Sequence, residues 1–375
     1  MTLVRAEVGK NSKSAVGNNM EMENLGYNDF FESNRKKLNL GDFSVGRITA
    51  EHRGSYKIKN EKGEYLGKIT GKQMFNASTR EDYPAVGDWV AIKELNDEQA
   101  IIQAILPRKT IIKRKGINKS EVQVIATNID VAFIIESFDR DYNLNRFERY
   151  FAIANEGGIK SAIILNKIDL IPKEELDEKL KEIKNRFPEI DIISTSVINN
   201  KGLDELKKYI EKGKTYCFLG SSGVGKSSLI NKLLEKDFIK TGDISSYSHR
   251  GKHITTSREM YFLDNGGIVI DNPGMREVGM ADTDSGIDNL FDEITILAKD
   301  CKYADCTHAH EPGCEVLSAL KSGKINEKQY QNYINLKKEV EYYKMTNLEK
   351  REKDKQFGKF IKKTKEDLKR YKNNY

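Results

Sequence analysis

The 375-residue chain contains no apolar run approaching the roughly 18 residues of a membrane-crossing helix candidate. Its first 24 residues are polar and lack the apolar core of a secretory signal. Residues 1–35 are therefore expected to form a disordered extension or a leader. Cysteine is scarce, with four in the whole chain. With no signal segment the expected compartment is the reducing cytoplasm, where disulfides are uncommon. Tryptophan occurs once, at Trp89, and is expected to fill the core of a small β-barrel rather than to stack on a base. No large charge of one sign dominates either, since 63 Lys and Arg oppose 57 Asp and Glu for a net +6. These absences leave a chain of two or three domains with no membrane contact; a monomer is expected.

Against that background, Gly220-Ser221-Ser222-Gly223-Val224-Gly225-Lys226-Ser227 fits the phosphate-loop pattern G-x-x-x-x-G-K-[ST]. The apolar run Tyr216 to Leu219 before it reads as a buried strand. The run Ser228 to Leu234 after it reads as a helix start. Glycines let backbone N–H groups close around phosphates, and the helix N-terminus adds a favourable dipole. Lys226 would contact the β- and γ-phosphates, and the Ser227 hydroxyl would bind Mg²⁺.

Upstream of this loop, Asn166-Lys167-Ile168-Asp169 follows the strand Ser161 to Leu165. In GTPases generally the Asp of NKxD accepts hydrogen bonds from guanine N1 and N2, donors that adenine does not supply. A second apolar strand, Ile190 to Ile193, ends in Ser194-Thr195-Ser196-Val197, and Gly202 to Leu206 opens a helix. That layout is similar to the loop whose backbone contacts guanine O6, led by Ser196. Two guanine-side elements favour GTP over ATP and disfavour a P-loop ATPase or kinase. In an ordinary GTPase the phosphate loop comes first and NKxD late. Here the order is permuted.

Downstream, Asp271 ends the strand Gly267 to Ile270, where a carboxylate can hold Mg²⁺ through water, and Gly274 can present its N–H to the γ-phosphate. Between the phosphate loop and Asp271, the polar segment Arg250 to Thr256 reads as a mobile switch I, with Thr255 completing the Mg²⁺ coordination. Met275 stands where many GTPases place a water-orienting Gln. A thioether cannot orient water, so unaided hydrolysis is expected to be slow unless His253 or a partner supplies the group. For His253 a structural role and a catalytic one stay equally open.

Three of the four cysteines fall in C-x4-C-x-H-x5-C: Cys301, Cys306, His308 and Cys314. Three thiolates and one imidazole make a full tetrahedral set for a closed, structural zinc site. A disulfide pair or reduced core cysteines are the competing readings. From Val45 to Lys115, short apolar segments alternate with turns as in a small β-barrel. The run Arg108 to Lys115 is basic, consistent with RNA phosphate contact or with a solvated linker. From Lys337 to Tyr375 there are 14 Lys or Arg against 7 Asp or Glu, which reads as a solvated helix or as an RNA-contacting one.

NKID, GSSGVGKSS, RGKHITT, DNPG and the cysteine motif together resemble the bacterial ribosome small-subunit-dependent GTPase A family, over about Asp42 to the C-terminal tail. The family's usual HTT stands here as His253-Ile254-Thr255, and its DTPG as DNPG. The resemblance implies a start near Met20 or Met22 and an OB-fold where the pattern alone would also allow an SH3-like barrel. It implies an α/β P-loop GTPase core, circularly permuted, between an N-terminal OB-fold and a C-terminal helical zinc module. The boundaries expected are 36–116 for the barrel, 117–284 for the GTPase and 285–375 for the zinc module with its basic tail. The implied activity is GTP hydrolysis to GDP with Mg²⁺, stimulated by the small ribosomal subunit and its rRNA during late maturation and coupled to release. A GTP-regulated RNA-binding module with negligible turnover is the alternative.

Overall fold

A computed structural model describes residues 21–52, 54–115, 122–138, 142–235, 258–271 and 283–346, with scattered positions from 348 to 364. It begins inside the expected leader. A 3-10 turn, Met22–Leu25, and helix α1, Asp29–Lys37, are folded because Leu25 and Phe31 are buried and Asn28 caps the helix by accepting from Phe30 N–H.

Five strands follow: β1 (Ser44–His52), β2 (Ser55–Lys59), β3 (Glu64–Ile69), β4 (Trp89–Glu94) and β5 (Gln99–Ile105), with helix α2 (Gly71–Asn76) between β3 and β4. The β2–β3 hairpin turns at Asn60, whose side chain accepts from the N–H groups of Lys62 and Gly63. Pairing runs β1–β2–β3–β5–β4 and closes through β1–β4, the five-stranded OB-fold barrel. Alternate residues point inward, so Ile48, Ile58, Val90, Ile92 and Ile102 form one cluster. Trp89 points the other way. It is fully buried outside the barrel, packed with Leu25, Phe31, Val45 and Leu106, so it fills a satellite core rather than the expected barrel interior.

The remaining strands are β6 (Ile111–Lys115), β7 (Val122–Thr127), β8 (Val131–Ser137), β9 (Lys160–Asn166), β10 (Asp191–Ser194), β11 (Thr215–Gly220), β12 (Glu259–Phe262) and β13 (Ile268–Asp271). Strands β6 and β7 form a hairpin; the others make a sheet ordered β10-β9-β8-β11-β13-β12, parallel except at β12. The central strand β8 is apolar from Val131 to Ile135 because both its faces are covered. Ala132 and Ile134 join one core, Phe133 and Ile135 the other. Helices α3 (Leu144–Glu156), α4 (Lys173–Arg186), α5 (Leu203–Tyr209) and α6 (Lys226–Leu234) belong to this layer. Beyond it, α7 (Asp284–Leu290), α8 (Asp292–Ala298), α9 (Glu315–Lys321) and α10 (Glu327–Lys344) form a helical module. The module shares the α3-side core, where Phe147 and Phe151 meet Phe291 and Tyr333 in one cluster. Each such fully buried large apolar side chain contributes about 1.5–3 kcal/mol.

Candidate functional site

The loop expected to read guanine is built where β9 stops. Asn166 is buried, and Lys167 takes a left-handed conformation at φ 59° that turns the chain into the 3-10 turn Ile168–Leu170. The Asn166 side-chain amide donates to the Val224 carbonyl at 2.8 Å and accepts from the Thr195 hydroxyl at 3.0 Å. One side chain thereby ties the guanine-side loop, the strand β10 exit and the phosphate loop together. Asp169 accepts from the Ser196 hydroxyl at 2.5 Å, and the Asn199 N–H donates to that same hydroxyl oxygen at 3.2 Å. These bonds hold the carboxylate in one orientation. Gly202 closes this loop at φ 68°, where a Cβ would lie 1.9 Å from the Ser194 carbonyl oxygen.

At the phosphate end, Gly220 closes β11, and Ser221, Ser222, Gly223, Val224 and Gly225 lead into α6. Gly225 has φ 97°, and a Cβ there would stand 2.3 Å from the Asn166 amide nitrogen, so the two loops approach as closely as glycine permits. The Lys226 ammonium donates to the carbonyls of Gly220 at 2.7 Å and Ser221 at 2.6 Å. A phosphate offers that ammonium a charged partner, and a charge-assisted bond is the stronger one. Ser227 and Ser228 occupy the first turn of α6, where the N-terminal dipole favours an anion. Burial pushes the Asp271 carboxyl above its ordinary range, and the nearby Lys226 charge works against that shift. A half-buried carboxylate beside a phosphate loop is chemically suited to a hard cation such as Mg²⁺.

His253, Thr255, Gly274 and Met275 lie outside the described residues. Sequence reasoning did not single out Arg146, on α3, which donates to the Ser221 hydroxyl at 3.4 Å and stands 3.9 Å from the buried Glu136 carboxylate. No local pattern announces this contact, because it joins positions 75 apart.

The cysteine cluster comes together between α8 and α9. The donor atoms of Cys301, Cys306, His308 and Cys314 all lie within 4.8 Å of one another. Cys301 and Cys314 sulfurs are 3.8 Å apart, and the His308 Nδ1 is 3.6 and 3.5 Å from them. A tetrahedral zinc with Zn–S near 2.3 Å places its sulfurs about 3.8 Å apart, so the donor set fits that ion. The knuckle is pre-shaped by Glu311, whose carboxylate accepts from the N–H groups of Thr307, Ala309 and His310. The Tyr330 hydroxyl, from α10, donates to the His308 carbonyl at 2.6 Å. Cys217, by contrast, is buried in β11.

The basic segments are more internally committed than their composition suggests. Arg108 donates twice to the buried Asp88 carboxylate, at 2.8 and 2.7 Å, and also to the carbonyls of Glu81 and Tyr83. Lys113 pairs with Glu81 at 2.8 Å, and residues 111–115 form β6 rather than a linker. At the head of the C-terminal basic stretch, Lys337 and Lys344 pair with Asp288 and Asp284 of α7, while Arg149 of α3 pairs with Glu339. These charges hold α10 in place.

Comparison with known proteins agrees with this geometry. Residues 105–281 match the family model described as RsgA GTPase. The chain is 41% identical, over 80% of its length and 84% of the relative's, to the small ribosomal subunit biogenesis GTPase RsgA 2 of Lactiplantibacillus plantarum. It is 37% identical, over 96% of its length and the whole of the relative, to the small ribosomal subunit biogenesis GTPase RsgA 1 of Bacteroides thetaiotaomicron. Among solved structures, YjeQ from Thermotoga maritima superposes with a TM-score of 0.57 at 25% identity, covering 79% of this chain and 98% of that one. YloQ, a circularly permuted GTPase, superposes with a TM-score of 0.56 at 20% identity, covering 81% and 97%.

Proposed function

The chain belongs to the RsgA GTPase family, and from that premise we propose that it acts in small ribosomal subunit biogenesis, holding the subunit in its GTP state and leaving after hydrolysis. The observation that carries the nucleotide part is the Asn166 bridge, which joins a guanine-reading loop to a phosphate loop across one cleft.

In this reading Asp169 accepts from guanine N1 and N2, Ser196 heads the loop facing O6, and Lys167 covers the base with its aliphatic stem. Residues 220–228 wrap the phosphates, with Lys226 as their cation. Ser227 and Thr255 would hold Mg²⁺ directly and Asp271 through water, the ion neutralising charge on the β- and γ-phosphate oxygens. Gly274 would donate its N–H to the γ-phosphate. With a thioether at Met275, orienting the attacking water falls to His253 or to a group from the subunit. Cys301, Cys306, His308 and Cys314 would hold one structural zinc, closed to substrate, that staples the α8–α9 junction onto α10.

The barrel at 36–116 and the zinc-helical module at 285–375 would flank the GTPase core at 117–284 and contact rRNA. The protein would work in the cytoplasm as a monomer. Pelleting of purified small subunits tests the nucleotide switch: the protein should co-sediment with a non-hydrolysable GTP analogue and stay in the supernatant with GDP. Equal co-sedimentation in both states would remove the switch.

A further inference from the structure

A cleft of about 850 Å³ opens where the barrel meets the β6–β7 hairpin and the head of β12, within the size range of small-molecule sites. Its walls combine aromatic and cationic groups with one carboxylate, Glu51. Half-buried Tyr83 supplies aromatic surface, with the Arg80 guanidinium 5.8 Å from the centre of its ring, while the side chain of Tyr56 is buried in the barrel core. Lys68, Arg80 and Arg258 bring cations, and Lys68 is exposed at the rim. A flat π-surface beside a ring of cations suits a nucleobase out of its stack with its phosphates on the rim. A duplex keeps its bases inside and cannot present one to such a wall.

One lining residue is also linked through its strand to the nucleotide site. Arg258 lies two residues after the segment read as switch I, Arg250 to Thr256. Its guanidinium donates to the Val124 carbonyl of β7 at 3.1 Å and stands 3.8 Å from Glu51 of β1. It therefore spans hairpin and barrel across the cleft. Its neighbour Glu259 is the cross-strand partner of Asp271, the carboxylate assigned to the magnesium side of the phosphate site. A shift of Arg258 is thus one residue from a direct strand pairing with that site.

We propose that this cleft receives an unstacked nucleotide of single-stranded RNA and that Arg258 is a positioning residue coupling its occupancy to the bound guanine nucleotide. The inference rests on the RNA-binding reading above and names where, and in what form, the RNA is held.

The test uses the full chain and a fluorescein-labelled six-nucleotide oligouridylate, followed by anisotropy, with a blunt RNA hairpin and oligoglutamate as competitors. The single strand should bind, and Lys68→Glu and Tyr83→Ala should each weaken it, the latter about five- to 150-fold as for loss of one base–aromatic stack. Lys68→Glu is a surface change, so the test stands even if Tyr83→Ala unfolds. Parent protein should bind the oligonucleotide with different affinities in the GTP-analogue and GDP states, and Arg258→Met should make them equal. Unchanged binding by Lys68→Glu, or better competition by the hairpin or by oligoglutamate, overturns the cleft assignment. Equal affinities in the two states of the parent overturn the coupling. Small-subunit stimulation of GTP hydrolysis separates this from the broader reading. If stimulation persists in the parent while the cleft variants bind RNA normally, only the cleft proposal fails; if the parent shows none, the biogenesis reading fails first.

Discussion

Replacing Asn166 by Ala should disable the nucleotide cleft from its hinge point. The side chain is buried, and its two hydrogen bonds serve the Val224 carbonyl in the phosphate loop and the Thr195 hydroxyl at the β10 exit. Truncation leaves both partners without that bond in a dry environment. Each orphaned buried group costs about 1–3 kcal/mol, so the pair should cost about 2–6 kcal/mol, less if water enters. Part of this appears as stability, read by urea denaturation, and part as nucleotide affinity, where every 1.4 kcal/mol is about tenfold. GTP and GDP should weaken together, because the bridge sets the spacing of two loops that both nucleotides touch. Adding Thr195→Val removes one orphaned hydroxyl, so the double variant should lose less than the sum of the two single changes. If Asn166→Ala keeps its stability within about 0.5 kcal/mol and binds fluorescent GDP like the parent, the bridge is not what holds the cleft.

Asp169→Asn should weaken GTP by about 1.5–3 kcal/mol, the value of a charge-assisted hydrogen bond, and favour xanthine nucleotides, whose C2 carbonyl accepts from the new amide. Competition between GTP and xanthosine triphosphate reads this out, and unchanged GTP affinity removes the guanine assignment. Cys306→Ser should destabilise the helical module while GTP still binds, and metal analysis of protein purified without chelator should find one zinc per chain; finding none counts against the site. Arg108→Met leaves the fully buried Asp88 carboxylate without its guanidinium, a loss of about 3–5 kcal/mol by denaturation, whereas a surface RNA-binding arginine would cost almost nothing in stability.

What was legible in the sequence was what local chemistry encodes. The phosphate loop is contiguous from Gly220 to Ser228, so its strand–loop–helix setting follows from one window of residues. The four candidate metal ligands sit within fourteen residues, close enough in sequence for one short loop to gather them. The permuted order of NKID and phosphate loop was visible too, and β9, β11 and β13 stand side by side with β8 as that order requires. Less legible was anything decided by partners distant in sequence. Arg108 looks like a free cation until the fold brings Asp88 beside it. Trp89 reads as buried, but only the placement of α1 decides that it packs outside the barrel. Strand β5, Gln99 to Ile105, is hard to place from its pattern, which shows little polar alternation, and its parallel pairing with β3 joins segments about thirty residues apart. Lys337 and Lys344 look solvated by composition, yet α7 carries the carboxylates that hold them.

Activation of the GTPase by the small ribosomal subunit is the central proposal, and steady-state turnover measures it most directly. At saturating GTP and low salt, purified small subunits should raise the rate well above the slow intrinsic value, as an externally supplied group does by about 10³–10⁵ in other GTPases. His253→Ala should lower the stimulated rate and leave GTP affinity nearly intact, while Lys226→Ala should damage both. Equal rates with and without subunits would contradict the account and favour a GTP-regulated RNA-binding module that switches by occupancy alone.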